Sequence, residues 1–138
     1  MRTVKSCTDL SQSKKLAEIL PFDTADMHYN NLSVRGVNYV DSHHADLMPY
    51  MDAVKTLSGY SIVNPLFEVI PCWSLAALLN VLPDELGDNH FLTLNKEGAE
   101  YCCCYEDING NSFRHEFGDN PIDACYEMIL KLHELKML

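Results

Sequence analysis

The residues best suited to chemistry are three consecutive cysteines, Cys102, Cys103 and Cys104, which stand between Tyr101 and Tyr105. A thiolate metal site needs about four ligands that converge on one point. In a strand, Cys103 points away from the side that Cys102 and Cys104 share, so at most two of the three thiols could bind one ion. No CxxC or CxxH spacing supplies further ligands. We therefore expect these thiols to pack as small hydrophobic side chains, with metal binding or redox use as the alternative.

A cysteine nucleophile would need a histidine within hydrogen-bonding reach and a donor for the oxyanion. Folding could bring Cys125 or one of the three consecutive cysteines near His90 or His115, but no sequence signature of a nucleophile surrounds any of them. We therefore expect a non-enzymatic protein and assign no catalytic residue. An enzyme that depends on a cysteine and a histidine is the alternative.

Other polar segments resemble ligand sites in composition alone. Residues 41–46 contain His43 and His44, but neighbouring histidines rarely converge on one ion, and no HExxH spacing is present. Residues 84–88 are acidic without the pattern of a calcium-binding loop, and residues 107–111 are typical of a hairpin turn. Glycine motifs that cradle a nucleotide are absent from the sequence. We expect no cofactor and no metal ion.

The chain has 138 residues and a net charge of −10, from 20 acidic and 10 basic side chains. Because an acidic protein repels nucleic acid and anionic membranes, we expect a protein partner and neither direct nucleic-acid binding nor membrane association. An acidic decoy that mimics nucleic acid is the alternative. No apolar run approaches the roughly 20 residues of a membrane helix, and no secretory signal is recognisable. With six cysteines that do not form a disulfide framework, these features predict a cytoplasmic protein.

The elements that would position these residues are clearest in the second half of the chain. Residues 70–83, IPCWSLAALLNVLP, contain the only tryptophan and are bracketed by prolines. The helix that they predict at 74–82 has Asn80 as its sole polar residue after the Ser74 cap, and a helix that is apolar almost all round is typically buried.

Alternating residue types predict a strand at 90–95, and the turn signals that follow bound two further predicted strands at 99–106 and 112–117. Gly98 suits the first turn, and Asn109-Gly110 favours a type I′ turn in the second hairpin, because both residues tolerate a positive φ. A last helix is predicted at 121–135, where Asn120 serves as the cap and Pro121 as the first helical residue.

The first half of the chain gives weaker signals. A helix is predicted from about residue 9, capped by Thr8 or Ser11, and it ends before Pro21. The remaining predictions are strands at 27–30 and 34–40, a helix at 43–57, and extended chain with turns at 60–71.

Together these elements predict a single α+β domain over residues 1–138. Its centre is a three-stranded antiparallel meander packed against helices at 9–20, 74–82 and 121–135. One or two strands from residues 25–40 would extend this sheet to four or five strands. Four tyrosines in the weakly patterned region form a candidate interaction surface, although tyrosines can equally cover the edge of a core: Tyr29, Tyr39, Tyr50 and Tyr60.

The chain resembles a family of small uncharacterised proteins from gut Bacteroidales and related bacteria, often encoded in phage-like or other mobile regions. Four blocks carry the likeness: QSKKLAEIL at 12–20, TADMHY at 24–29, IPCWSLAALLNVLP at 70–83 and NPIDACYEMILKLHEL at 120–135. The family has no established activity, so the resemblance implies no cofactor, active site or functional residue. It implies a bacterial, mobile-element setting and one domain. We therefore expect a small, non-enzymatic protein of a phage-like element that acts through protein–protein contacts.

Overall fold

The computed structural model describes residues 5–32, 37–41 and 67–138. It combines helices with antiparallel sheets, which confirms the predicted α+β class. The chain divides into two compact units, one formed by Asp9–Ser74 and the other by Met1–Thr8 together with Leu75–Leu138. The prediction of one domain over residues 1–138 stays a prediction. The helix predicted at 43–57 lies outside the described residues.

The unit formed by Asp9–Ser74 begins with helix α1, Leu10–Ala17. Its cap is Asp9 rather than Thr8 or Ser11. The Asp9 carboxylate accepts the backbone N–H of Gln12 at 2.8 Å, and the Gln12 side chain accepts the N–H of Asp9 at 3.0 Å. This reciprocal capping box satisfies two N–H groups that the helix itself leaves without partners, which a single hydroxyl could not do.

Three strands of this unit form a sheet of order β2-β1-β3: β1 Met27–Leu32, β2 Val37–Asp41 and β3 Phe67–Cys72. The prediction that residues 25–40 extend the meander is therefore wrong, because β1 pairs with β2 on one side and with β3 on the other. Pro71 lies in β3 opposite His28, and proline is tolerated there because β3 is an edge strand of this sheet. Helix α1 packs against β3.

Trp73, which follows β3, is fully buried, and its indole Nε1–H donates to Thr24 Oγ1 at 2.9 Å. Thr24 ends a short 3-10 helix, Phe22–Thr24. The neighbouring Ser74 donates its backbone N–H to the Asp26 carboxylate at 2.9 Å, and its hydroxyl also binds that carboxylate. The tryptophan is thus a core residue of the segment that precedes the central helix.

The other unit contains the predicted meander as a four-stranded antiparallel sheet of order β4-β5-β6-β7. Its strands are β4 Glu85–Leu86, β5 His90–Glu97, β6 Glu100–Glu106 and β7 Ser112–Gly118. Strands β5, β6 and β7 confirm the three predicted strands. The fourth strand comes from residues that the sequence indicated to be an acidic loop: Leu86 is buried and pairs with His90, so Glu85 is drawn into the ladder opposite Phe91.

The hairpin between β6 and β7 is confirmed, but its predicted type I′ turn is wrong. The N–H of Asp107 bonds to the carbonyl of Asn111 at 3.0 Å, so three residues, 108–110, form the loop. Gly110 alone among them has a positive φ, at 83°, whereas Asn109 does not. This pattern is that of a three-residue loop with glycine in the left-handed position.

Helix α3, Pro121–Glu134, is capped by the Asn120 side chain, which accepts the N–H of Asp123 at 2.9 Å. It packs across β6 and β7 and also contacts helix α2, Leu75–Val81. Its inward face is apolar and fully or almost fully buried: Ile122, Ala124, Cys125, Met128, Ile129 and Leu132.

Helix α2 is less buried than its composition predicts. Ala77 and Leu78 are buried, but Ala76 and Asn80 are exposed and the remaining residues lie between these limits. The reason is geometric: a helix of two turns offers one face to its neighbours, and small side chains such as alanine do not require the other face to be covered.

Candidate functional site

The cysteine triplet lies in β6, the second of two central strands, and its thiols point to both sides of the sheet. Cys103 faces α3, where its thiol is hydrogen-bonded with that of Cys125. Both side chains are fully buried. The hydrogen bond to Cys125 and burial in the helix–sheet interface raise the pKa of Cys103. This thiol is therefore held neutral, as part of the core.

Cys102 and Cys104 lie on the opposite side of the sheet, which we call the open face. Cys104 is hydrogen-bonded to Thr93, with 3.0 Å between Sγ and Oγ1. Its thiol also donates to Glu106 Oε1 at 3.4 Å. Burial raises the pKa of Cys104, and burial together with the nearby Cys104 thiol raises the pKa of Cys102 to about 12. Both residues are buried.

The arrangement does not provide an exposed cysteine nucleophile. His115 lies opposite Cys104 in the β6–β7 register, which is the only pairing of a cysteine with His90 or His115 in that ladder. The Cys104 thiol is nevertheless covered and donates to Glu106, and its raised pKa disfavours the thiolate that attacks an electrophile. The prediction that the three thiols pack as hydrophobic side chains is confirmed by their burial.

The other candidate ligand segments do not assemble into a metal site. Among the residues that the structure describes, no group of three or more histidine, cysteine, aspartate or glutamate side chains is placed to hold an ion. Of residues 41–46, only Asp41 belongs to the described part, at the end of β2. Residues 84–88 form the β4–β5 hairpin and residues 107–111 the next one.

The four tyrosines proposed as an interaction surface are tested only in part by the structure. Tyr29 lies in β1, is half-buried, and pairs in register with Val40 and Ile70. The backbone of Tyr39 lies in β2 opposite Asn30. Tyr50 and Tyr60 lie outside the described residues. A shared tyrosine surface therefore stays a prediction.

The most distinctive exposed feature is a row of three side chains across the open face. Phe91 of β5 pairs with Glu85 of β4 on one side and with Glu106 of β6 on the other. Residues directly opposite each other in an antiparallel ladder point to the same face, so the ring stands between two carboxylates. Phe91 is 49% exposed, which is high for a phenylalanine in the interior of a sheet.

A second exposed apolar side chain lies at the same end of the sheet. Ile108 lies in the β6–β7 loop and is 94% exposed. The loop is held by Asp107, whose carboxylate accepts the backbone N–H groups of Asn109 and Asn111, each at 2.9 Å. Hydrogen bonds from Asn111 lower the pKa of Asp107, so the loop has a charged base and an apolar tip.

Sequence reasoning missed this set of residues, which we call the Phe91 site: Glu85, Phe91, Glu106 and Ile108. The isoleucine was visible as an apolar residue inside a polar turn, and that signal could have been used. The row through Phe91 could not be found without the strand register, since its members lie in three strands and one of those strands was not predicted.

Comparisons with known proteins give no relative for this chain: no family model, no curated protein and no solved structure matches it. In the part of the chain that the structure describes, no helix has both the length and the apolar character needed to cross a lipid bilayer.

Proposed function

We propose that this chain is a non-enzymatic binding protein that recognises a basic segment of another protein through the Phe91 site. The observation that carries this proposal is the exposed Phe91 ring between the carboxylates of Glu85 and Glu106. The covered, neutral thiols of β6 support binding rather than catalysis, because they remove the residues best suited to covalent chemistry.

A lysine or arginine side chain fits the chemistry of this row. An aromatic face attracts a cation, and arginine makes this contact more often than lysine. Carboxylates on both sides of the ring can accept charge-assisted hydrogen bonds. A planar guanidinium matches the geometry of a carboxylate better than a compact ammonium does. Glu85 already accepts the N–H of Asn89 at 3.1 Å through Oε1, which restrains the carboxylate.

Ile108 supplies the apolar contact that would make such binding more than electrostatic. A protruding isoleucine can bury its side chain against a partner, and about 25 cal/mol is gained for each Å² of apolar surface removed from water. Phe113, near the start of β7 and also partly exposed, extends this apolar area. The expected partner segment therefore has basic side chains beside apolar ones.

The net charge of −10 strengthens the same preference, because an acidic protein attracts basic partners over a distance set by the ionic strength. The resemblance to proteins of phage-like and mobile elements adds a setting to the proposal: the partner would be a protein of the bacterial host or of the element itself.

The test uses a fluorescein-labelled peptide of alternating arginine and leucine, with a glutamate-for-arginine peptide as the negative probe. We expect fluorescence anisotropy to show binding of the first peptide alone. Glu106→Gln should weaken that binding about 10-fold, since a hydrogen bond to a charged group contributes about 1.5 kcal/mol. Phe91→Ala should weaken it at least as much.

Glu97→Gln is the matched control, because it removes the same charge from the far end of β5. If it weakens binding as much as Glu106→Gln does, the peptide responds to overall charge and the Phe91 site is not the binding site. A pull-down with the wild type and with Phe91→Ala then identifies natural partners. Displacement of a captured partner by duplex DNA would favour the acidic decoy, whereas persistence of the complex would favour a dedicated contact.

A further inference from the structure

We propose that two copies of this chain associate by antiparallel pairing of their β7 strands about a twofold axis at His115. The sequence of β7, SFRHEFG, is complementary to itself in this register. Position 114 of one copy lies opposite position 116 of the other, and position 113 lies opposite position 117. Arg114 of each copy therefore lies opposite Glu116 of the other, and the two pairs are related by the twofold axis, as in any isologous dimer.

Strand β7 is available for such pairing. It is the last strand in the order β4-β5-β6-β7, and among the described residues no strand pairs with its outer edge. The strand has seven residues, contains no proline, and carries one arginine and one glutamate. The unpaired N–H and C=O groups of an edge strand are able to bind another strand.

The charges of Arg114 and Glu116 are the strongest indication of a second copy. Both side chains are half-buried and lie on the α3 side of the sheet, opposite Tyr105 and Cys103. Neither forms an ion pair with any residue in the described ranges. The Nε of Arg114 is buried without a hydrogen-bond partner, and burial raises the pKa of Glu116.

Each of these unfavourable features is relieved in the proposed register. Directly opposite side chains in an antiparallel pair have Cβ atoms about 5 Å apart, which brings Arg114 of one copy within ion-pairing reach of Glu116 of the other. The twofold axis repeats the pair. Within a single chain the Arg114 guanidinium lies 5.0 Å from the centroid of the Phe113 ring. Glu116 is influenced by the charges of Lys131 and Arg114 but is in no ion pair among the described residues.

The rest of the strand is compatible with this contact. His115 lies on the open face at the twofold axis, 6.3 Å from the Phe117 ring between centroids. Phe117 is 43% exposed and would be covered near position 113 of the other copy. The bulge between Tyr105 and Glu106 affects β7 before Arg114, so the three central pairs fall in its regular part. An unrelated strand would not supply both reciprocal charges.

The test is a charge reversal with rescue in trans, measured by sedimentation velocity over a range of concentrations. We expect the wild type to dimerise. Arg114→Glu and Glu116→Arg should each weaken dimerisation at least about 30-fold, because two attractive pairs become repulsive. A mixture of the two variants should form a heterodimer, since the acidic strand of one then faces the basic strand of the other.

Rescue on mixing distinguishes an interface from damage to the fold, because a misfolded variant is not repaired by a second variant. Circular dichroism of each variant alone verifies that it folds. A wild type that stays monomeric at the highest concentrations, or a mixture that stays monomeric, would overturn the proposal. Peptide binding at the Phe91 site is measured separately on Arg114→Glu, so failure of either proposal is seen independently.

Discussion

Lys5 donates to Asp123 across 2.8 Å, which joins the N-terminal segment to the first turn of α3. The Asp123 carboxylate also accepts from the Asn120 side chain at 2.9 Å, so it takes part in the helix cap. The side chains of Lys5 and Asp123 are 20% and 26% exposed. This ion pair is therefore less screened by solvent than a surface pair.

Removal of this pair should lower stability measurably. We expect Lys5→Met, which keeps the aliphatic stem, to reduce the free energy of unfolding by about 1 kcal/mol in urea titrations at low salt. Lys15→Met is the control, because Lys15 is 3.7 Å from Glu18 and both are largely exposed. Equal effects of the two substitutions would contradict the structural role given to Lys5.

Gly118, at the end of β7, should not tolerate a side chain. A Cβ atom at this position would lie 2.5 Å from the backbone nitrogen of Ala124 and 2.8 Å from Asp123. Because backbone cannot move as a flexible side chain can, Gly118→Ala should destabilise the protein by about 1–3 kcal/mol. Gly98→Ala is the control, because a Cβ there has no atom within 4 Å and the only cost is the strain of a φ of 63°. A smaller loss at Gly118 than at Gly98 would show that α3 begins farther from β7.

The thiols of β6 predict a loss of stability in alkaline solution. The pKa of Cys102 is raised from 9.0 to about 12 by burial and by the nearby Cys104 thiol, so the unfolded chain releases this proton first. Stability is fully present below pH 9 and is lost as the pH rises towards 12. We expect urea unfolding to show this decline, and Cys102→Ala to reduce it.

The same burial predicts that thiol reagents act slowly on the native protein. All six cysteines are buried and remain outside disulfides, so Ellman's reagent should label them only as the chain opens. Rapid labelling of Cys102 or Cys104 in the folded protein would contradict the proposed packing of the open face.

Glu116 should have opposite effects on the single chain and on the dimer. Burial raises its pKa in the folded chain above the ordinary 4.5, so the stability it contributes at acidic pH is lost as the pH rises through that raised value. Glu116→Gln stays neutral and should stabilise a dilute monomer at pH 7 while weakening association of concentrated protein. Glu100→Gln, an exposed carboxylate in the same sheet, controls for the general loss of negative charge. If Glu116→Gln stabilises the monomer but leaves association unchanged, the raised pKa is supported and the role of Glu116 in the dimer is contradicted.

The parts of the fold that could be predicted from the sequence are those with local signals. Strands β5 to β7 are separated by turns at Gly98 and Gly110, which adopt the positive φ that these turns need. The start of α3 was predicted because Asn120 and Pro121 are specific to the first turn of a helix.

The missed parts depend on partners that are distant in the sequence. Strand β3 pairs with β1 across about 40 positions, and Pro71 favours a turn in the local sequence although an edge strand tolerates it. Strand β4 has two residues, too few for an alternating pattern. The Phe91 site and the pairing of Arg114 with Glu116 of a second copy both depend on register, which a single-residue pattern does not specify.

The division of one compact unit between both ends of the chain has a consequence for biosynthesis. Met1–Thr8 leaves the ribosome long before Leu75–Leu138, with which it forms that unit. The ion pair of Lys5 can therefore form only after Asp123, 118 positions later, has been synthesised. Contacts of such large sequence separation slow folding, so this unit should complete its structure only after α3 has been translated.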